Sequence, residues 1–232
     1  MTDTPPYLQP FVLDVPRVRP AREANHDVYR PAKTSDGAGR PVVIFVHGGP
    51  VPADLRPTPR DWPVFVGYAS AVAQRGLIAV TLDHRLHDIA AYPSAAADVR
   101  VAVEHARALD GVNADRVALW LFSGGGLLVT DWLADPPSWL RCVALTYPVL
   151  APPPGWGVPS HFQPIRALPG AGDLPLLLTR VGREQVEIAE TVAAFVSAAE
   201  DQSASLEIID VAGGQHGFDM LDHDDDSRRA VR

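Results

Sequence analysis

The stretch that decides the fold is Arg116–Val129, RVALWLFSGGGLLV. Its first part, Val117–Phe122, is apolar and rich in β-branched and aromatic residues, which is typical of a buried strand. Glycines follow Ser123 at once, and apolar residues then resume at helical spacing. A strand, one serine, glycines and a helix form the layout of a nucleophile elbow, whose tight turn strains the serine and requires small neighbours. Ser123 is therefore a candidate nucleophile, and the alternative is a glycine-rich turn with an incidental serine.

The match to the G-x-S-x-G pattern of such elbows is partial. Gly125 fits the second glycine of the pattern, whereas Leu121 stands where the first glycine usually lies. We expect the Leu121 side chain to be accommodated by small residues opposite it, with Gly125 and Gly126 as the candidates.

Composition restricts the class of protein. A length of 232 residues suggests one domain, and an apolar fraction of 47% is enough for a substantial core. The net charge of -8 argues against nucleic acid or an anionic membrane as a partner. The single cysteine, Cys142, excludes an intrachain disulfide and lies in an apolar run, which predicts a buried thiol and a cytoplasmic location. No apolar run reaches the roughly 18 residues of a transmembrane helix, and the N-terminus lacks the pattern of a signal peptide.

Strand and helix patterns alternate along the chain. Residues 8–30 predict one or two edge strands, beginning with the alternation of Phe11, Leu13 and Val15, and a flexible turn is predicted at Lys33–Gly39. Further strands are predicted at 41–46, 77–82, 117–122, 142–147, 174–181 and 206–211, with amphipathic helices between most of them. This alternation predicts an α/β fold over residues 1–232, with a mainly parallel sheet and helices on both faces.

Residues of types that can act as a nucleophile, a base or an acid follow four of the predicted strands. His47, Ser123, Glu184 and His216 come after the strands at 41–46, 117–122, 174–181 and 206–211. Because ligands of parallel sheets bind at the carboxyl ends of the strands, we expect these side chains to lie close together.

The sequence resembles the α/β-hydrolase superfamily, close to its dienelactone-hydrolase-like and small esterase/lipase branch. The resemblance extends from Pro41 to Phe218 and is carried by the strand plus HGG at Val42–Gly49, LDHRL at Leu82–Leu86, Asp98, NADRVALWLFSGGG at Asn113–Gly126, and GQHGF at Gly214–Phe218. The sequence departs from the family at Leu121, at His84, where tyrosine is common, and at Arg180–Gln185, which lacks the usual aspartate.

The resemblance implies a triad. Ser123 would be the nucleophile and His216 its base, in the chain order serine, acid, histidine. The acid should follow the strand at 174–181, which selects Glu184, with Glu187 as the second choice. The alternatives are that His216 is an exposed loop histidine and that Glu184 is an ordinary acid in the first turn of a helix.

The same resemblance implies an oxyanion hole. One donor would be the amide of Gly124, the residue after the nucleophile, and the other would come from the HGGP loop. Gly49 is the preferred donor of that loop and Gly48 the second. His47 would shape the loop rather than act as the base.

Residues for substrate binding are suggested by aromatic side chains. The Pro/Gly-rich segment 148–173 lies where this fold often carries a lid, and we interpret it as a short lid-like loop. Trp156, Phe162 and Trp62 would wall an apolar pocket, and ordinary packing is the equal alternative. No metal site is predicted, although His84, His87 and Asp88 are close in sequence.

Together these features predict a serine hydrolase that needs no cofactor and cleaves a small carboxylic ester or lactone through an acyl-enzyme. Its partner would be that small molecule, and a homodimer is compatible with the sequence. One alternative is a biosynthetic lactone or thioester hydrolase or an acyltransferase. Another is a non-catalytic binding protein on a hydrolase scaffold, suggested by Leu121 and the irregular acid segment.

Overall fold

One eight-stranded sheet organises the structure, a computed structural model that describes residues 4–32 and 39–232. The strands are β1 (Ala21–Glu23), β2 (His26–Tyr29), β3 (Arg40–Val46), β4 (Ile78–Leu82), β5 (Val112–Phe122), β6 (Leu140–Thr146), β7 (Leu176–Arg183) and β8 (Leu206–Gln215). Their order across the sheet is β1-β2-β4-β3-β5-β6-β7-β8. The pairs from β4 to β8 are all parallel, whereas β1 and β2 are added antiparallel at one edge. The predicted mainly parallel sheet is confirmed, while the predicted turn at Lys33–Gly39 falls, except for Gly39, outside the described residues.

Helices cover both faces of this sheet. They are α1 (Pro63–Gln74), α2 (Tyr92–Ala108), α3 (Thr130–Ala134), α4 (Pro164–Ala167), α5 (Val186–Asp201), α6 (Phe218–Leu221) and α7 (Asp225–Val231). Alternate residues of β3 enter two separate core clusters, Val42 and Ile44 on one face and Phe45 on the other. The first cluster includes the apolar faces of α2 and α5, and the second includes that of α1. The α/β architecture with helices on both faces is therefore confirmed.

The first of the predicted edge strands is wrong. Residues 11–15 are not a strand; a 3-10 turn at Pro6–Leu8 precedes them, and Phe11 and Val12 are buried. The ring of Phe11 packs against Tyr68 of α1, with ring centroids 4.7 Å apart. The apolar residues of this segment thus reflect packing against α1 rather than strand pairing.

Cys142 is exposed, so the predicted buried thiol is also wrong. It lies in β6 beside Val143, which is fully buried. Because successive side chains of a strand point to opposite faces, Val143 takes the core side and Cys142 the other.

The segment 148–173 packs into the core. Val149, Leu150, Phe162 and Leu168 are buried in the same cluster as α2 and α5. Burial of these apolar side chains holds the segment against the sheet. Within residues 4–32 and 39–232, no helix combines the length and the apolar character needed to cross a bilayer.

Candidate active site

The turn at Ser123 has the strained geometry expected from its sequence. β5 ends at Phe122, and Ser123 follows with a φ of 50°, in the left-handed region that side chains rarely adopt. A Cβ added to Gly124 would lie 2.3 Å from the carbonyl oxygen of Gly49, and one added to Gly125 would lie 2.5 Å from that of His47. Side chains are excluded at both positions because the loop after β3 crosses directly over them.

Leu121 is accommodated differently from the expectation. Its side chain is fully buried in the core cluster that also contains Leu127 and Leu128. The nearest atoms to a Cβ at Gly125 or Gly126 belong to the segments after β3 and β6, not to Leu121. The Leu121 side chain is therefore accommodated by the core, and the glycines leave space for the neighbouring loops.

Three side chains from separate strand ends form a continuous hydrogen-bonded chain. The Oγ atom of Ser123 lies 2.7 Å from Nε2 of His216. Nδ1 of His216 lies 2.6 Å from Oε2 of Glu184. Since an ionised carboxylate can only accept, Nδ1 carries the proton it donates to Glu184, and Nε2 is free to accept from the serine hydroxyl.

The burial of these groups distinguishes Glu184 from its competitor. The Glu184 side chain, directly after β7, is 4% exposed, and that of His216, directly after β8, is 27% exposed. Glu187 is exposed in the first turn of α5. The structure thus places Glu184, the first choice of acid, beside His216 and leaves Glu187, the second choice, exposed to solvent.

A pair of buried histidines shapes the loop after β3. The rings of His47 and His84 stack with centroids 3.6 Å apart. The backbone N–H of His84 donates to Nε2 of His47 over 3.3 Å, and Nε2 of His84 lies 2.9 Å from the carbonyl oxygen of His47. Burial lowers the pKa of His47 to about 4 and also lowers the pKa of His84. Both rings are neutral near pH 7. Both nitrogens of His47 already form hydrogen bonds, one with Gly48 and one with His84, so His47 is not available as a base.

A second buried network lies beside His216. Asp219 is fully buried and accepts hydrogen bonds from the hydroxyls of Tyr68 and Tyr147. Burial raises the pKa of Asp219 to about 6, against the opposing effect of these hydrogen bonds. The ring centroid of Tyr147 lies 4.8 Å from that of His216. Sequence reasoning missed Asp219, whose only signal was its place in the helix that follows the GQHGF motif.

A cavity of about 360 Å³ opens at Ser123 and His216. Gly48 and Gly49 line it, and its other walls are mostly apolar: Pro6, Tyr7, Pro50, Val51, Trp62, Phe65, Phe122, Tyr147, Gly217, Met220 and Leu221. A larger cavity of about 670 Å³ lies between residues 10–17 and α1, and its lining includes none of the three hydrogen-bonded residues. The smaller cavity is therefore the candidate substrate site.

Only one of the three aromatic residues proposed to wall the substrate pocket lines this cavity. Trp62 lines it, and its indole N–H donates to the carbonyl oxygen of Pro57 over 3.0 Å. Trp156 and Phe162 do not line the cavity, and Phe162 is buried against Tyr92 in the core. The segment 148–173, predicted as a lid-like loop, contributes no residue to the lining of this cavity.

Sequence comparison connects part of the chain to a known family. A family model described as BD-FAE, an α/β-hydrolase-like family, matches residues 26–130, which is fewer than half of the residues. No curated protein sequence matches the chain.

Structural comparison extends the similarity to nearly the whole chain. Esterase 2 from the planctomycete Thermogutta terrifontis, phosphonylated by sarin, superposes with a TM-score of 0.69 at 18% identity, over 96% of this chain and 93% of that chain. Dipeptidyl peptidase 4 from Porphyromonas gingivalis superposes with a TM-score of 0.65 at 13% identity, over 90% of this chain. The chain spans only 33% of the peptidase. At these identities the likeness concerns the fold.

Proposed function

We propose that this chain, which has the α/β-hydrolase fold, is a serine hydrolase that cleaves a small carboxylic ester or lactone through an acyl-enzyme. The observation that carries the proposal is the hydrogen-bonded chain from Ser123 through His216 to Glu184, whose first two residues line a mostly apolar cavity. A nucleophile, a base and an orienting acid within hydrogen-bond reach are the elements of acyl transfer.

Acylation begins at Ser123. Nε2 of His216 takes the hydroxyl proton as Oγ attacks the carbonyl carbon of the substrate. The resulting oxyanion is stabilised by backbone amides, those of Gly124 and Gly49, with Gly48 as the second choice in the loop. His216 then gives the proton to the leaving oxygen, the carbon–oxygen bond breaks, and the acyl group remains on Ser123.

Deacylation repeats the same steps with water. Nε2 of His216 takes a proton from a water molecule, whose oxygen attacks the acyl carbon. Collapse of the second oxyanion returns the proton to Oγ of Ser123 and releases the carboxylic acid. In both halves the Glu184 carboxylate stabilises the imidazolium, so these residues complete the cycle without a cofactor.

The cavity limits the size of the substrate. Its volume of about 360 Å³ is near the lower end of the roughly 300–1,000 Å³ typical of ligand pockets. Apolar side chains such as Trp62, Phe65 and Met220 form its walls. These features favour an ester or lactone with a short, uncharged acyl group.

Covalent labelling tests the proposal. The wild-type protein is treated with a fluorophosphonate probe, the adduct is located by mass spectrometry, and hydrolysis of short p-nitrophenyl esters is followed. We expect the adduct on Ser123, ester hydrolysis that releases the free acid, and loss of both in Ser123→Ala. Ser160→Ala, which changes an exposed serine, is the matched control and should behave as wild type.

Two other results would replace the proposal. A folded wild-type protein that neither labels nor hydrolyses these esters would support the non-catalytic binding protein. Transfer of the acyl group to an added alcohol or amine, in place of its release as the acid, would support the acyltransferase.

A further inference from the structure

Two histidines and one glutamate converge at the edge of the sheet remote from β7 and β8. Glu23 ends β1, His26 begins β2 and His105 lies in the last turn of α2. One ligand atom of each, a ring nitrogen or a carboxylate oxygen, lies within 4.8 Å of the others. Strands β4 and β3 separate β2 from β5, the strand that ends directly before Ser123. We infer that this cluster is a binding site for a divalent transition metal, with zinc as the best fit.

The hairpin between β1 and β2 places two of the ligands. Glu23 and His26 are direct partners in the antiparallel pair, flanking the turn residues 24–25. Directly opposed residues project their side chains from the same face of a sheet. Oε2 of Glu23 lies 3.3 Å from Nε2 of His26 and 2.9 Å from Nε2 of His105. Ligand atoms about 2.0–2.1 Å from a tetrahedral zinc are themselves about 3.3 Å apart, so these separations are close to those of a ligand set.

The other ring nitrogen of His26, Nδ1, already forms a hydrogen bond. Nδ1 lies 3.1 Å from Oδ1 of Asn25, an amide oxygen that can only accept. Nδ1 therefore carries a proton, so Nε2, which lies 3.3 Å from Oε2 of Glu23, is the nitrogen of His26 that can exchange its proton for a metal ion. Metal-binding histidines typically donate their second N–H to an oxygen in this way. Two lone-pair donors facing the same space are stabilised by a cation between them.

His105 supplies an independent indication of a missing partner. Its Nε2 atom is buried and, among the described residues, has no hydrogen-bond partner. The 2.9 Å approach of Glu23 Oε2 therefore lacks hydrogen-bond geometry. The rings of His26 and His105 lie 4.1 Å apart between centroids. A metal ion would satisfy the nitrogen of His105 and the lone pair of His26 together.

The donor set selects the class of metal. Two imidazoles with one carboxylate suit zinc and its neighbours cobalt, nickel and copper, whereas calcium and magnesium prefer oxygen ligands throughout. The nearby guanidinium of Arg60 is paired with Asp27 and Asp83, so it does not leave an uncompensated positive charge beside the cluster. The side chains of His105 and Glu23 are 34% and 39% exposed, so the cluster lies close to the protein surface.

The site would join the edge hairpin to α2. β1 and β2 form the antiparallel edge of the sheet, and within residues 4–32 and 39–232 β1 pairs only with β2. An ion bound by Glu23, His26 and His105 would connect this edge to a helix of the main core. Since binding to the folded state stabilises it, the expected role is structural.

Metal content and melting temperature test the inference. The full chain is incubated with zinc, passed through a desalting column and assayed for bound metal by mass spectrometry, and a cobalt-loaded sample is examined for visible d–d absorption. We expect one equivalent of zinc, the visible bands of a tetrahedral site, and a higher Tm with zinc. His161→Ala removes an exposed histidine paired with Asp131 and should retain all three properties.

Two variants of the cluster make the test decisive. His105→Ala and Glu23→Gln change partly exposed side chains, and circular dichroism in the absence of metal establishes that each is folded. Both should lose the bound zinc, the visible bands and the shift in Tm. Equal zinc retention in wild type and in both folded variants, or no retention by the wild type, would overturn the inference.

Discussion

The hydroxyl of Tyr147 donates a hydrogen bond to the buried carboxylate of Asp219, with 2.9 Å between the oxygen and Oδ1. Tyr68 donates to the same carboxylate over 3.0 Å, and the Tyr147 ring lies beside His216. Asp219 follows His216 by three residues. The carboxylate therefore ties the segment that carries His216 to α1 and to the end of β6.

Asp219 should make the stability of the protein depend on pH. Burial raises its pKa to about 6 in the folded state, so between about pH 4 and pH 6 the folded state binds more protons than the unfolded state. Its contribution to the free energy of unfolding is therefore largest below pH 4 and falls as the pH rises to 6. A shift of about two units corresponds to roughly 3 kcal/mol.

Urea denaturation from pH 4 to pH 7 measures this effect. Asp219→Asn should remove the fall in stability between pH 4 and pH 6. Asp210→Asn is the matched control, because the exposed Asp210 pairs with Arg180, its pKa is lowered, and its titration lies below this window. Parallel curves for wild type and Asp219→Asn would show that the carboxylate does not titrate in this range.

Glu184→Gln should preserve the shape of the site and remove the charge that stabilises the imidazolium. Turnover of a p-nitrophenyl ester should fall by roughly 10⁴, as it does when a triad acid becomes an amide. Glu187→Gln changes an exposed carboxylate three residues away and should leave turnover unchanged. The assignment of the acid is reversed if the Glu187 variant is the inactive one.

Gly124→Ala should damage both stability and labelling. Its Cβ would lie 2.3 Å from the carbonyl oxygen of Gly49, and relieving that overlap displaces the loop that lines the cavity. We expect a loss of about 1–3 kcal/mol in the free energy of unfolding and slower labelling of Ser123. Gly157→Ala, whose Cβ would meet nothing within 4 Å, is the control and should be near neutral. Normal folding and labelling of Gly124→Ala would contradict the tight turn.

Trp62→Ala should alter substrate preference without removing activity. The indole lines the cavity, so its loss should weaken the binding of large esters. For the bulkiest esters that the enzyme hydrolyses, KM should rise about tenfold, which corresponds to roughly 1.4 kcal/mol of binding free energy. Acetate esters, which leave most of the cavity empty, should be affected less. Trp156→Ala removes an indole that does not line the cavity, and it should change neither the KM for bulky esters nor the KM for acetate esters. Equal effects of the two substitutions would place the substrate elsewhere.

The sheet and the Ser123–His216–Glu184 chain could be predicted because each residue follows a plain apolar strand. Parallel strands bring their carboxyl ends together, so knowing the strands was enough to bring the three side chains together. Pro6 and Tyr7 could not be predicted as cavity walls, because their segment has no periodic pattern. The place of Trp156 outside the cavity lining could not be predicted either, because an aromatic residue among prolines and glycines carries no information on where its side chain points.

The histidine cluster was missed for a different reason. Its ligands come from two adjacent strands and a distant helix, so no contiguous motif unites them. The pairing of Glu23 with His26 becomes visible only when the two-residue turn between them is known. The third ligand, His105, depends on how α2 packs against the sheet, which spacing alone does not encode.

The backbone N–H of Val12 donates to the carbonyl oxygen of Asp219 over 2.9 Å, which joins the early segment that includes Pro6 and Tyr7 to the late one that includes Met220 and Leu221. Both segments wall the cavity, and neither belongs to the central strands. Local fluctuations that separate them would widen the entrance while the parallel sheet stays intact. Exchange of the Val12 amide proton, which makes this bond, would therefore report on any separation of these two walls of the cavity.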